Sequence, residues 1–398
     1  MSNQRILYLS HDGLMESLSQ SQVWQYLYNL AKKYDIMLVT YEKEKDWFDF
    51  RRRNEMFDKA KEAGIRWIPL KYHNKPKIIA SCVDMISCLF ISIFLKFRYC
   101  INIVHARNAP FTLIALVMKT LFLTKFVFDM RGFWADERVD GGLWKKNSLI
   151  YRINKWLEKL YFLRADTVVV LTRAAVKEIN KFSYLKNKTI NVKVIPTCTN
   201  LQLFKRKVPE SDKKQSVFTL GYLGNVGTWY LLDPVFEFFK ILREKKPEAR
   251  LVFINDGQHD FIKSKIDAFD LPRESFEIRS VEFEKIPGEI SKFDAAIFFI
   301  KPVFSKKSSM PTKFGELLGC GIPCVTNMGV GDMDVIIDEG RVGVLLRDFK
   351  SQSLDKSVED LLDLLKDDKT SVRCRKIAER YFSLENGVKT YDEIYSAF

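Results

Sequence analysis

Short apolar runs alternate with amphipathic helical stretches along most of this sequence, and the alternation occurs in two successive series. The predicted strands of the first series are Arg5–Ser10, Ile36–Thr40, Ile65–Leu70, Ile103–Ala106, Lys125–Met130 and Thr167–Leu171. Those of the second series are Val217–Leu223, Arg250–Ile254, Phe276–Ser280, Ala295–Ile300 and Cys324–Thr326. Strands that alternate with helices predict a parallel sheet covered on both faces. The sequence therefore predicts two doubly wound, Rossmann-like α/β domains.

The two series are separated by a pause at Val192–Pro196 and a polar linker at Lys205–Gln215. With 398 residues, the chain is longer than one hydrophobic core usually supports. We expect an N-terminal domain over residues 1–195, a second domain over 196–378 and a C-terminal helix over 379–398. Doubly wound domains bind ligands at the carboxyl ends of their strands, so we expect a cleft there.

The formal charge of +14 indicates an anionic partner, which could be nucleic acid, an anionic membrane surface or a phosphorylated substrate. No zinc-finger spacing or RNP-like motif accompanies the charge, so we expect no nucleic acid. The 7 cysteines are scattered and include no CxxC pair. They favour free thiols in a reducing compartment, and the N-terminal sequence lacks the pattern of a signal peptide. We therefore expect a cytoplasmic protein.

The segment Ile78–Leu95 is nearly apolar and 18 residues long, which is near the lower limit for spanning a bilayer. Asp84 lies in its middle, where a charge is costly in lipid. We predict a helix buried inside the first domain. Basic residues precede the segment, so the same domain could dock on an anionic membrane.

The stretch Ser305–Thr326 predicts a helix with unusual ends. Ser308 or Ser309 can cap its start and Pro311 suits its first turn, while the glycines that follow end it. A helix N-terminus attracts phosphate.

Charged side chains near this helix start strengthen that prediction. Lys306, Lys307 and Lys313 add positive charge, and Glu316 lies one turn beyond Lys313. We expect the helix start to bind phosphate and Glu316 to accept hydrogen bonds from ribose hydroxyls. The alternative for Glu316 is an ordinary surface glutamate.

GELLGCGIPCVT in this stretch resembles the family 4 retaining glycosyltransferases, which have the GT-B fold. Glu316 matches the second glutamate of the family motif, which holds the donor ribose. Ser308 stands where the first glutamate is usual, and SMPTK resembles a Ser-Pro-x-Lys version of the motif. The resemblance implies a donor site that contains Ser308, Ser309, Met310, Pro311, Thr312, Lys313 and Glu316.

Two further stretches are similar to the same family. GYLGNVGTWY resembles its glycine loop, which implies that Gly224 and Asn225 contact the donor and that Lys301 or Lys313 neutralises its diphosphate. RYFSLENGVKTYDEIY resembles its C-terminal helices, the last of which returns to the first domain.

VFDMRGFWADER places several charged residues directly after a predicted strand of the first domain. Our hypothesis is that Arg131 and one of Asp129 or Asp136 line the cleft and act with Lys313 in catalysis. A salt-bridged loop is the alternative. The acceptor side is predicted to include His11, Gly13, Ser19 and Gln20 on a flexible loop, and His105 and Arg107 at a strand end.

The resemblance implies transfer of a sugar from a nucleotide-sugar donor, with UDP favoured, to a saccharide or lipid-linked acceptor in cell-envelope polysaccharide synthesis. Retention of configuration is expected, with no cofactor. We also expect no metal, because Asp332-Met333-Asp334, although it spells DxD, follows a glycine-rich loop. The alternatives are a nucleotide-sugar epimerase of the same fold and a catalytically silent, nucleotide-binding partner of another glycosyltransferase. The expected location is cytoplasmic, with peripheral contact at the inner face of the cytoplasmic membrane.

Overall fold

The computed structural model describes residues 4–73, 75–206, 217–269 and 271–398. Positions 207–215 of the predicted linker Lys205–Gln215 lie outside the described residues. The chain divides into two compact units. Unit 1 contains the chain up to Pro196 together with Leu384–Phe398, and unit 2 contains Thr197–Ser383.

Unit 1 is built on a 7-stranded parallel sheet with the strand order β3-β2-β1-β4-β5-β6-β7. The strands are β1 (Arg5–Ser10), β2 (Asp35–Glu42), β3 (Ile65–Lys71), β4 (Ile103–Arg107), β5 (Lys125–Met130), β6 (Thr167–Val170) and β7 (Val192–Val194). The helices between them are α1 (Ser17–Ser19), α2 (Gln25–Leu30), α3 (Glu44–Trp47), α4 (Phe50–Glu62), α5 (Lys77–Tyr99), α6 (Ala109–Phe122), α7 (Trp134–Asp140), α8 (Leu149–Arg164) and α9 (Arg173–Ile179). Residues Gln20–Trp24 form a π-helical segment ahead of α2.

The direction in which the chain moves along this sheet decides where its helices lie. From β1 to β3 the chain moves toward one edge, and from β3 through β4 to β7 it moves toward the other. Right-handed crossovers therefore place α4 on one face and α5, α6 and α8 on the opposite face. Both faces are covered, which explains why β1 reads as a continuous apolar run instead of an alternating one.

Unit 2 has a 6-stranded parallel sheet with the order β10-β9-β8-β11-β12-β13. Its strands are β8 (Thr219–Leu223), β9 (Arg250–Ile254), β10 (Phe276–Arg279), β11 (Ala295–Ile297), β12 (Cys324–Asn327) and β13 (Gly343–Leu346). Its helices are α10 (Asp233–Lys245), α11 (His259–Ala268), α12 (Ile286–Ile290), α13 (Thr312–Gly319), α14 (Met333–Gly340), α15 (Ser351–Leu364) and α16 (Thr370–Phe382). The last helix, α17 (Leu384–Ser396), belongs to unit 1, where it packs against α2.

Several predicted elements differ from the observed ones. The pause at Val192–Pro196 contains a strand, β7, whose three residues are too few to show a period. The predicted flexible loop through Ser19 and Gln20 is wrong, because α1 and the π-helical segment already include these residues.

The prediction that the segment Ile78–Leu95 is a buried helix is correct for the helix and wrong for its burial. Among the described residues one helix, Ile79–Tyr99, is long and apolar enough to cross a membrane, yet only 28% of its apolar 18-residue stretch is buried in the protein. One side of α5 packs on the sheet, and the other side is exposed. The basic residues of α4, such as Arg51 and Lys61, lie on the opposite face of the sheet from α5.

Candidate functional site

The N-terminus of α13 is the helix start at which the sequence predicts a phosphate site. The helix begins at Thr312 after Pro311, and no side chain caps it. The predicted serine cap is therefore wrong. Ser308 lies in a preceding 3₁₀ segment, and its hydroxyl donates to the Ser305 carbonyl at 2.8 Å. An uncapped start leaves backbone N–H groups available to an incoming acceptor.

Lys313 is buried one residue into α13, with 7% of its surface exposed. Its Nζ lies 4.0 Å from the ring centre of Tyr230 and 5.0 Å from that of Tyr222, and it has no hydrogen-bond partner among the described residues. Burial lowers the pKa of Lys313 to about 7. The site thus contains a buried amine whose hydrogen-bonding capacity is unused.

Glu316 lies one turn farther along α13 and is also buried, with 7% exposure. The surface-glutamate alternative for this residue is therefore wrong. Burial raises the pKa of Glu316 to about 7, against the opposing attraction of Lys313. Near neutral pH, both side chains are close to the point at which they gain or lose a proton.

The loop after β8 lies directly beside Lys313. Gly224 has a φ of +91°, and a Cβ at this position would lie 3.2 Å from Nζ of Lys313. Asn255 holds the loop by donating from Nδ2 to the Gly224 carbonyl at 3.1 Å, and the Tyr222 hydroxyl donates to the Asn225 carbonyl at 2.9 Å. Glycine is suited to this position because it tolerates positive φ and leaves room for the ammonium group.

The sequence did not predict the supporting role of Tyr222, Tyr230 and Asn255. The available signal was the position of Asn255, a polar residue directly after a buried strand, where α/β sheets bind ligands. The two tyrosines resemble ordinary core residues in the sequence.

The remaining predicted donor residues surround the start of α13. The Met310 carbonyl accepts a hydrogen bond from the Thr197 hydroxyl at 3.0 Å, while Ser309 and Thr312 are half-buried. Lys301 is exposed, and its backbone N–H donates to the Trp229 carbonyl at 2.9 Å.

Within the described residues, no group of three or more His, Cys, Asp or Glu side chains is arranged to hold a metal ion. In the DxD stretch, Asp332 precedes α14 and Asp334 lies in its first turn. Both carboxylate oxygens of Asp334 accept from the backbone N–H of Gly329, at 3.2 and 3.1 Å. These contacts fit the predicted role of this stretch in loop structure.

Unit 1 buries a charged network at the carboxyl ends of its central strands. Asp129 is fully buried, with its oxygens 3.6 Å from an Nη1 atom of Arg107 and 3.6 Å from that of Arg131. The Tyr391 hydroxyl of α17 donates to Asp129 at 3.1 Å. The nearby arginines and His105 hold the pKa of Asp129 below its usual range despite burial. Asp129 thus corresponds to the salt-bridged alternative and does not line an open surface.

His105 joins this network and is also fully buried. Its Nε2 lies 3.4 Å from Asp129, and its Nδ1 lies 2.6 Å from the Tyr395 hydroxyl. Burial lowers the pKa of His105. A neutral ring whose Nε2–H faces a carboxylate accepts at Nδ1, so Tyr395 is the donor. In this arrangement His105 attaches α17 to the sheet and Arg107 pairs with Asp129, and their predicted acceptor contacts stay predictions.

Arg131 also lines a small depression of about 80 Å³ at the ends of β4 and β5. Its lining includes Asn108, Met130, Trp134, Glu137 and Asn154. Asp136 is not part of this lining; it accepts from the Tyr151 hydroxyl at 2.8 Å and pairs with Lys155 at 2.9 Å. Arg131 is therefore the predicted catalytic residue of unit 1 that is best placed to reach a ligand.

The loop that contains His11 and Gly13 is fixed by a residue that the sequence did not single out. Glu42, at the end of β2, accepts from the backbone N–H of Leu14 at 2.7 Å. A Cβ on Gly13 would lie 2.6 Å from a Glu42 oxygen, so glycine is needed for this close approach. His11 contacts the rings of Tyr72 and Phe111. Gln20 donates to the Leu14 carbonyl at 2.6 Å, and the Ser19 side chain is buried.

Residues 204–381 match the family described as Glycosyl transferases group 1. An uncharacterized glycosyltransferase of Methanocaldococcus jannaschii is 23% identical over 258 residues. This match spans 63% of the present chain and 63% of that curated relative.

Solved structures are similar to this chain over nearly its full length. Sucrose-phosphate synthase from Thermosynechococcus elongatus has a TM-score of 0.74 at 14% identity over 99% of each chain. HepE from Anabaena, in complex with UDP and glucose, has a TM-score of 0.71 at 14% identity over 100% of each chain. Likeness at this identity concerns the fold alone. The chain therefore has the GT-B fold, and residues 204–381 match the glycosyltransferase group 1 family.

Proposed function

We propose that this protein is a retaining, metal-independent glycosyltransferase that uses a nucleotide-sugar donor, with UDP as the favoured nucleotide. The observation that carries the proposal is the Lys313 ammonium group, which is buried beside an uncapped helix start and has no hydrogen-bond partner in the part of the chain that the structure describes. The diphosphate of a nucleotide-sugar would provide the missing anion. Glu316, one turn away, would accept hydrogen bonds from ribose hydroxyls.

Catalysis in this proposal rests on stabilising the diphosphate leaving group. As the sugar–phosphate bond breaks, negative charge grows on the diphosphate, and protonated Lys313 together with the N–H groups of α13 would stabilise it. Arg131 would contact the acceptor at the depression in unit 1. Front-face attack with retention follows from the resemblance to family 4 enzymes.

The comparisons support a nucleotide-sugar donor and glycosyl transfer in general, without specifying the sugar or the acceptor. The group 1 domain coincides with the region that contains Lys313 and Glu316, and the Anabaena HepE structure contains UDP and glucose. The proposed acceptor is a saccharide or lipid-linked molecule of cell-envelope polysaccharide synthesis. The proposed location is cytoplasmic, with peripheral contact to the membrane.

The test is a thermal-shift panel with UDP, GDP, ADP and CMP, with and without magnesium. A nucleotide at about one hundred times its Kd should add about 2.7 kcal/mol of stability. We expect UDP to stabilise the wild type without metal and to stabilise Glu316→Ala much less. Glu379→Ala, an exposed glutamate in α16, is the matched control and should respond like the wild type.

The remaining outcomes separate the alternatives. If no nucleotide stabilises the wild type, the donor site is wrong. If UDP-sugar is converted to an epimer in the absence of any acceptor, the protein is an epimerase. If UDP binds but no sugar is transferred to any tested acceptor, the silent-partner alternative is favoured.

A further inference from the structure

Helix α5 has a continuous apolar stripe on its solvent side. Six side chains along it are at least half exposed, between 50% and 68%. They are Ile79, Val83, Ile86, Phe90, Phe94 and Phe97. Steps of three or four residues place them on one side of the helix, in a stripe about 27 Å long. Exposed apolar surface of this extent marks an interaction site.

The opposite side of α5 is fixed in unit 1. Asp84 is buried and accepts a hydrogen bond from the His73 backbone at 3.1 Å, and the Tyr41 hydroxyl donates to the Asp84 carbonyl. The helix also forms the crossover between β3 and β4, both of which pair within the sheet. Because this packing belongs to the fold, α5 is suited to lie along a surface and not to cross a bilayer.

Two neighbouring helices extend the apolar surface. Helix α6 contacts both α5 and α8, and Leu121 and Leu123 at its end are 63% and 88% exposed. On α8, Leu149 is 72% exposed, Ile153 47% and Trp156 58%. The solvent side of these three helices is called the α5–α6–α8 face below.

The exposed charged side chains of this face are all positive. Asp84 and Glu158 are the only acidic residues in the three helices, and they are only 5% and 7% exposed. Asp84 is paired with His73, and Glu158 with Lys155. By contrast, Arg98, Arg152 and Lys159 are exposed. The face therefore combines apolar side chains with cations and has no exposed carboxylate among its described residues.

We propose that the α5–α6–α8 face docks on an anionic lipid surface, with its aromatic and aliphatic side chains in the interface and its cations at the lipid headgroups. An anionic lipid surface matches both the apolar and the basic character of the face. Its apolar side chains would be buried among the upper acyl chains, and its basic side chains would attract the anionic headgroups. A second copy of the chain is a poorer occupant. A symmetric contact would place like charges opposite each other without carboxylates to pair with them. This face would be the surface through which the protein makes the peripheral membrane contact that is part of the proposed function.

The test is co-sedimentation of the full chain with vesicles of phosphatidylcholine and phosphatidylglycerol. Phe90→Ser/Phe94→Ser removes two exposed rings and should lower the vesicle association constant by at least about tenfold. Phe48→Ser/Phe50→Ser is the matched control, because these rings are 51% and 60% exposed in unit 1 but lie outside the face. The control should bind like the wild type. Added salt should weaken binding of the wild type.

Three results would overturn the inference. The first is a wild type that does not bind anionic vesicles at low salt. The second is an equal loss in both double variants. The third is a wild-type dimer that Phe90→Ser/Phe94→Ser dissociates while vesicles bind neither protein, since a second copy then covers the face. UDP stabilisation is measured on the same samples. Vesicle binding without a nucleotide response contradicts the proposed function alone, and the reverse result contradicts the docking face alone.

Discussion

Both units bury charged side chains near the carboxyl ends of parallel strands, and Asp129 of unit 1 and Lys313 of unit 2 differ in the partners that surround them. Asp129 is surrounded by Arg107, Arg131 and the Tyr391 hydroxyl. Lys313 in unit 2 has aromatic rings around its ammonium group and, within the described residues, no hydrogen-bond acceptor. Asp129 is thus neutralised by two ion pairs and one tyrosine hydrogen bond, although its Oδ1 has no hydrogen bond among the described residues. The charge of Lys313, by contrast, is met mainly by aromatic rings.

The pKa shifts differ in the same way. The arginines and His105 keep the pKa of Asp129 below its usual range, so its charged form is favoured in the folded protein. Burial moves the pKa values of Lys313 and Glu316 toward their neutral forms, to about 7 in each case. A partnered buried charge contributes to the fold, whereas an unpartnered one is costly until a ligand arrives. This difference separates a structural network from a candidate binding site.

Asp129→Asn should have the largest effect on stability. The substitution keeps the shape of the side chain but leaves the buried Arg107 and the half-buried Arg131 without their shared counter-charge. We expect the free energy of unfolding of unit 1 to fall by about 3–5 kcal/mol. Urea denaturation, followed by a signal that reports on unit 1, measures this change. The control is Asp136→Asn, whose carboxylate is less buried and pairs with one lysine, and it should lose about 1 kcal/mol. A normally stable Asp129→Asn protein without transferase activity would instead give Asp129 a catalytic role.

Lys313→Met should have the opposite effect on stability. Removing a buried, unpartnered ammonium group should stabilise the unliganded protein by about 1–3 kcal/mol. Loss of the positive charge should weaken UDP-sugar binding by about a hundredfold. Thermal melting measures the first effect, and calorimetric titration measures the second.

Lys356→Met is the matched control for this substitution. Lys356 lies in α15, is 74% exposed and pairs with Asp360, so both its melting temperature and UDP-sugar affinity should stay near the wild-type values. A Lys313→Met protein that is destabilised but still binds UDP-sugar normally would contradict the assignment of the donor site.

The sequence predicted the fold more fully than the site. Three strands, Arg5–Ser10, Lys125–Met130 and Arg250–Ile254, have the predicted bounds, because buried parallel strands are continuous apolar runs between polar turns. The strand β13, Gly343–Leu346, was not predicted, since its alternating burial makes its apolar run short.

Burial of charge was the part that the sequence did not reveal. Lys313 and Glu316 were identified from helix position and resemblance, but the rings that enclose Lys313 come from β8 and the loop after it, far away in the chain. Likewise, the residues around Asp129 come from β4, β5 and α17. Such contacts depend on tertiary packing, which no local pattern encodes.

Binding of a UDP-sugar should weaken as pH rises. Below about pH 7 Lys313 is protonated and Glu316 neutral, so the pair has a net positive charge; above it Lys313 is neutral and Glu316 ionised, so the net charge is negative. The diphosphate of a UDP-sugar keeps its charge in this range. We expect its Kd to rise by up to about tenfold per pH unit above neutrality, measured calorimetrically at constant ionic strength. Lys313→Met should remove most of this dependence. A flat wild-type profile would contradict the pairing of these two groups with the ligand.

Gly224→Ala should change UDP-sugar affinity least among the donor-site variants. Compared with Gly227→Ala, it tests whether the free space beside Lys313 matters for binding. Both glycines have positive φ, +91° and +77°, so each substitution should cost about 1 kcal/mol of stability through backbone strain. A Cβ at Gly224 would lie 3.2 Å from Nζ of Lys313, while one at Gly227 would have nothing within 4 Å. Only Gly224→Ala should therefore displace the ammonium group and weaken UDP-sugar binding, by about tenfold. Equal affinities in the two variants would mean that the position of Lys313 beside this loop does not determine donor binding.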